Sequence, residues 1–161
     1  MARVRSDQPL VPSVLDRLID DAPGESAEPS RSRAQLLREL QQSVRRDLEN
    51  LLNTRRRLVV IPPGYTELRD SLLTYGLPDF SGTGPSGGKD REAFARSIEQ
   101  IIRMHEPRLL RVNVELIANP EPGDRTLRFR IDALLQADPA PEPVSFDSTM
   151  EPSTGTFEVG E

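Results

Sequence analysis

Cysteine and tryptophan are absent from this chain of 161 residues, histidine occurs once, and aromatic residues make up 4% of it. Without cysteine there are no disulfides and no thiolate metal sites, which permits a reducing compartment. A single histidine, His105, leaves no zinc cluster. No run of about eighteen apolar residues is present, so no membrane-spanning helix is expected. The opening MARVRSDQPLVPSV is positively charged but lacks the apolar stretch of a signal peptide, so a cytoplasmic location is expected. The glycine-rich SGTGPSGG at 81–88 has no lysine and hydroxyl pair following a strand, which removes a phosphate-cradling loop. No serine–histidine–aspartate set is supported by a nucleophile-elbow motif. No cofactor is expected, and no internal repeat is visible.

What is present is a modest core and a skewed charge pattern. Hydrophobic residues are 35% of the chain, and its 15 prolines concentrate toward the two ends. Net charge is -5. Between Arg31 and Arg57, eight arginines face Glu39, Asp47 and Glu49, a local balance of +5. From Gln136 onward there are six acidic residues and no basic ones. A basic helix with an acidic tail can mean nucleic acid, but a solvated helix face or a protein partner fits the small overall charge better.

The order of patterns predicts an α+β fold, with N-terminal helices packed on a C-terminal antiparallel sheet of two to four strands. Residues 1–30 read as an extended segment holding a short helix at 13–20, which Ser13 caps and whose Leu15, Leu18 and Ile19 must dock on something, because two turns are not stable alone. The body spans 31–136. Its long helix, from about Ser32 to Asn53, carries the stripe Leu36, Leu37, Leu40, Val44, Leu48, Leu51 and Leu52. Leu58-Val59-Val60-Ile61 reads as an extended run pinned to the core, and Leu68, Leu72 and Leu73 suggest another short helix before Gly76, which can take a positive φ. Asp90 is the expected cap of the next helix. Leu110, Val112, Val114 and Leu116 alternate as a first strand, and Leu127, Phe129, Ile131, Ala133 and Leu135 as its hairpin partner. Residues 137–161 form an acidic, Pro-rich tail that adds edge strands around Val144, Phe146 and Ser148 and around Phe157 and Val159.

The chain turns on the stretch from Lys89 to Ile117. Phe94, Ile98, Ile101, Ile102 and His105 share one helical face, and Pro107 stops that helix before the first strand. The corner Glu106-Pro107-Arg108 therefore places two charges beside a rigid turn, and it reads as a docking site with Pro107 aiming Glu106 and Arg108 outward. His105 continues the apolar register, so it caps the core and meets a carbonyl. A glycosidase reading would pair Glu106 with Asp79 or Glu115. It suffers from the lack of aromatic cleft walls and from Arg108, which would lower the pKa of a paired Glu106 instead of raising it.

Four segments in order resemble the TssE-like proteins, baseplate wedge subunits of type VI secretion systems related to wedge proteins of contractile-tailed phages. They are the helix starting Ser13-Val14-Leu15-Asp16-Arg17-Leu18, the stretch from Ser43 to Arg55 ending Asn-Thr-Arg, the turn Tyr75-Gly76-Leu77-Pro78-Asp79, and the Glu106-Pro107-Arg108 corner. The resemblance implies a structural part and not an enzyme, despite a historical lysozyme-like label. It implies a cytoplasmic, membrane-docked baseplate in which wedge subunits TssF and TssG are met by Glu106, Pro107 and Arg108. It further implies a sheet edge offered to the sheath subunits TssB and TssC, so that the chain helps to start sheath assembly. The alternatives are a peptidoglycan hydrolase and an adaptor for an unrelated regulator. His105 stands where the family often has an aromatic.

Overall fold

The computed structural model describes residues 14–19, 23–24, 32–78, 88–119, 124–137 and 140–160. In chain order these form α1 (Val14–Leu18), α2 (Arg33–Asn53), two 3-10 turns (Thr66–Asp70 and Leu72–Thr74), α3 (Gly88–His105), and strands β1 (Leu109–Ile117), β2 (Leu127–Leu135), β3 (Glu142–Glu151) and β4 (Thr156–Val159). The fold is α+β, helices first and a four-stranded antiparallel sheet after them, in the order β1-β2-β3-β4.

Helix α2 starts where its sequence dictates. Ser32 accepts from the Gln35 amide at 3.3 Å while the Gln35 side chain accepts from the Ser32 amide at 2.7 Å, a reciprocal cap that satisfies two otherwise orphaned donors. Leu40, Val44, Leu48, Leu51 and Leu52 are buried along its inner face. Helix α3 contributes Phe94, Ala95, Ile98, Ile101 and Ile102. It begins at Gly88, so Asp90 lies inside its first turn and is not the residue before it. Both helices cover the same face of the sheet, α3 against β1 and α2 against β4. That face presents Val112, Phe129, Ile131, Leu135, Phe146 and Phe157. Phe157 stacks on Phe94 with ring centroids 6.4 Å apart and meets Phe129 edge-on at 5.8 Å, joining helix and sheet.

Residues beyond 140 complete this sheet. β3 pairs with β2 from Leu127↔Met150 to Leu135↔Glu142, which makes it an interior strand and not an edge. β4 is the edge, and α2 closes it. Asn53 donates to the Phe157 carbonyl and accepts from the Phe157 amide, both at 2.9 Å, as a neighbouring strand would.

Four expectations need correction. In β1 the buried residue is Leu109 and not Leu110, which is 38% exposed. The register shifts between Leu110 and Asn113, and Arg111 adopts a φ of 51°, so a bulge puts Leu109 in place of Leu110 on the inner face while Val112 and Val114 keep theirs. Helix α1 does not dock through its apolar residues: Val14, Leu15, Leu18 and Ile19 are all exposed. Leu58 and Val60 are 98% and 93% exposed, so the run at 58–61 is not pinned to the core. The stretch around Leu68, Leu72 and Leu73 forms two 3-10 helices instead of one short helix, with Leu72 and Leu73 exposed. The Ser13 cap and the glycine-rich loop at 81–87 lie outside the described residues.

Gly76 takes the positive φ its sequence suggests, at 95°. It lets Leu77 pair with the end of α2: the Leu77 amide donates to the Thr54 carbonyl at 2.8 Å and the Arg56 amide to the Leu77 carbonyl at 2.7 Å. A Cβ at position 76 would stand 2.3 Å from the Thr54 carbonyl oxygen. Gly76→Ala should therefore lower unfolding free energy by about 2 kcal/mol or more. Gly64→Ala, where no atom lies within 4 Å of the added Cβ, should stay within about 0.5 kcal/mol. Urea denaturation of the two variants checks this.

The Glu-Pro-Arg corner

Helix α3 ends as Pro107 requires. The Glu106 amide still donates to the Ile102 carbonyl at 2.8 Å, and the Leu109 amide then donates back to the Glu106 carbonyl at 3.1 Å, closing the turn into β1. The sheet grips the corner from the other side, because the Gln136 amide at the end of β2 donates to the Arg108 carbonyl at 2.7 Å.

The charges do not both point outward. Glu106 is buried, its side chain 7% exposed, and Arg108 is folded onto it. Arg108 Nε donates to Glu106 Oε1 at 2.7 Å and Nη2 to Oε2 at 2.6 Å, a planar fork on a planar carboxylate. Nη2 also reaches Asp47 Oδ2 at 2.5 Å, and Nη1 donates to Ser43 Oγ at 3.2 Å. Ser43 and Asp47 are four residues apart on α2, hence on one helix face. Pro107 and one side of Arg108 are what the corner presents to solvent.

The cluster continues to the N-terminus. Asp16 of α1 accepts from Ser43 Oγ at 2.7 Å and from Arg46 Nη2 at 2.9 Å, and lies 3.8 Å from Arg108 Nη1. Polar contacts thus position α1, while its apolar residues stay exposed. Hydrogen bonding to Glu106 raises the pKa of Arg108 above its already high value; burial opposes this, and the charges of Glu106 and Asp47 add to it. Arg108 is a permanent cation here.

Of the residues a hydrolase would use, Glu106 is buried with both carboxylate oxygens bonded by the Arg108 guanidinium. Glu115 is exposed on β1 and accepts from Asn113 at 3.0 Å. Asp79 lies outside the described residues. His105 meets the Thr74 carbonyl through Nε2 at 3.1 Å and packs edge-on against Tyr75 at 5.3 Å, the carbonyl contact its register predicts. Asp16, Ser43, Arg46 and Asp47 were not singled out from the sequence as part of a site. The signal for three of them was the spacing Ser43, Arg46, Asp47 on the face of α2 beside its apolar stripe.

The family of the baseplate wedge protein gp25 matches residues 38–140, which is most of the body and includes the whole corner. The chain belongs to this family. No curated protein matches it. Among solved structures, a chain of "The baseplate complex from the type VI secretion system" aligns with 77% of this chain and 96% of its own length, at 16% identity and a TM-score of 0.49. Baseplate wedge proteins are structural subunits, and among the described residues no helix is long and apolar enough to cross a membrane.

Tyr75 gives the corner a pH signature. Burial, then the charges of Asp47 and Glu106, raise its phenol above the usual value of 10.0. The unfolded chain therefore loses this proton first as pH rises, so stability falls from about pH 10 until the folded phenol also ionises. Urea denaturation from pH 9 to 11 should show that fall, and Tyr75→Phe should flatten it.

Proposed function

We propose that this wedge-family chain is the TssE-type subunit of a type VI secretion baseplate, a structural part and not an enzyme. It is held by wedge subunits of the TssF and TssG kind at Glu106, Pro107 and Arg108, and it offers a sheet edge from which sheath of the TssB and TssC kind begins to grow. The observation that carries this reading is the corner itself: a Glu-Pro-Arg turn between helix and strand in a chain that belongs to the wedge family.

Burial of Glu106 refines the docking role. Glu106 and Asp47 fix the guanidinium, so Arg108 meets a partner in one orientation and loses little side-chain entropy on binding. Exposed Pro107 supplies a rigid apolar contact beside it. Asp16, Asp47 and Glu106 outnumber Arg46 and Arg108 by one charge among the described residues, which favours a cation or a hydrogen-bond donor on the partner.

For the sheath, β1 is the more available edge. Its outward Val112 carbonyl and Val114 amide are bonded by side chains of α3, Arg103 at 2.7 Å and Glu99 at 3.4 Å, which an incoming strand could replace with backbone bonds. The β4 edge is held by Asn53 through two bonds to Phe157.

Co-expression with the wedge subunits and affinity purification tests this. Glu106→Ala should not be silent in the isolated chain: it strands a guanidinium that is only 23% exposed and should cost about 2–3 kcal/mol, below a fully buried pair because of that exposure. Arg108→Lys keeps charge but loses the fork, and Pro107→Asp changes an exposed side chain. All three should weaken association at least about tenfold, with the thermal midpoint of each free variant measured alongside so that loss of fold is told apart from loss of contact. Wild-type association in all three would remove the corner from the interface. Absence of association in the wild type would remove the wedge role.

A further inference from the structure

The segment after α2 carries an unused surface. Arg55 forms an isolated parallel bridge with Leu77, and the Arg56 amide donates to the Leu77 carbonyl at 2.7 Å. From Arg57 to Ile61 the chain is neither helix nor paired strand, and none of its backbone N–H or C=O groups has a partner among the described residues. Exposure alternates along it: Leu58 and Val60 are almost wholly exposed, Val59 is 45% exposed, and Ile61 is partly covered. Solvated loops are seldom built from consecutive Leu, Val, Val and Ile, because such residues favour a paired, half-buried strand. Arg55, Arg56 and Arg57 at its start are all exposed, and among the described residues their side chains make one hydrogen bond, from Arg55 to the Thr154 carbonyl at 3.5 Å. Pro62 and Pro63 end the run.

We propose that Arg57–Ile61 is a docking strand that pairs with an extended segment of another baseplate subunit. That segment alternates apolar side chains toward Leu58 and Val60 and carries carboxylates at the end lying along Arg55–Arg57. The free backbone groups supply the ladder, the alternation sets the register, and the three arginines set direction and select an acidic partner. Arg57–Ile61 shares no residue with the Glu106 corner or with either edge strand of the sheet, while Arg55 at its start reaches Thr154 beside β4. An anionic membrane would satisfy the arginines and the apolar side chains but not the backbone: an unpaired extended chain cannot bury its amides in hydrocarbon. The arginines and prolines also explain why the free chain need not self-associate, since charge and proline at a strand's margins discourage like pairing.

The inference rests on the baseplate reading, and hydrogen exchange separates the two. The full chain is measured alone and in complex with its co-expressed baseplate subunits. Amides of Arg57–Ile61 should exchange freely alone and at least about a hundredfold more slowly in the complex. The double variant Leu58→Asp, Val60→Asp should keep the free chain's melting temperature and lose at least about tenfold in association. Arg55→Glu, Arg56→Glu and Arg57→Glu together should weaken association in the same way. If the wild type does not assemble at all, both readings fall. If it assembles while Arg57–Ile61 still exchanges freely, or the double variant binds as wild type, this inference alone falls. Binding to phosphatidylserine vesicles that the double variant loses, without protection in the complex, would reassign the surface to lipid.

Discussion

Everything at the corner between α3 and β1 depends on where one guanidinium sits. Arg108 belongs to the turn between α3 and β1, yet its donors reach Glu106 at the end of α3 and Ser43 and Asp47 in the middle of α2. Asp16 brings α1 to the same place. A lysine would supply the charge but could not hold four groups in a fixed plane. The proline between Glu106 and Arg108 matters for the same reason. It ends the helix so that both side chains fall on one side of the turn, where the glutamate can be buried because it is fully bonded. Burial of a carboxylate therefore serves positioning: it aims an arginine and leaves Pro107 as the exposed tip.

The sheet supplies the rigid wall behind this corner. Its inner face is continuous from β1 to β4, and Phe157 near the end of the chain packs against both α3 and β2. Backbone groups on the outer sides of β1 and β4 are engaged by Glu99, Arg103 and Asn53. Such side-chain mimicry of a neighbouring strand guards an edge against promiscuous pairing while leaving it exchangeable. Among the described residues, none guards the backbone of Arg57–Ile61 in this way, and that contrast sets the stretch apart.

Most of the architecture was legible in the residue pattern. The leucine stripe of α2, the alternation of Leu127 to Leu135, the stop at Pro107 and the turn at Gly76 are local signals with one physical solution each. The weak alternation at Val144, Phe146 and Ser148 understated a strand of ten residues, because its importance comes from pairing with β2 along its length. What the pattern did not carry is whatever depends on distant contacts. The bulge at Arg111 leaves no composition signal, and it inverts the facing of Leu109 and Leu110. Helix α1 is held by Asp16 and not by its leucines, because the surface it meets is polar. Leu58 to Ile61 has the composition of a core strand and the exposure of a surface loop. Glu106 and Arg108 stood out in the sequence as a charged corner, but their mutual lock, and the part played by Asp47, needed α2 in place.

A double-mutant cycle on Asp47 and Arg108 bears most directly on the role given to the guanidinium, because it isolates the link between α2 and the corner. Unfolding free energies of the wild type, Asp47→Ala, Arg108→Ala and the double variant give the coupling. A partly exposed pair within a bonded network should show at least about 1 kcal/mol of coupling. A coupling below about 0.3 kcal/mol, the level of independent sites, would mean that Arg108 does not tie the helices to the corner.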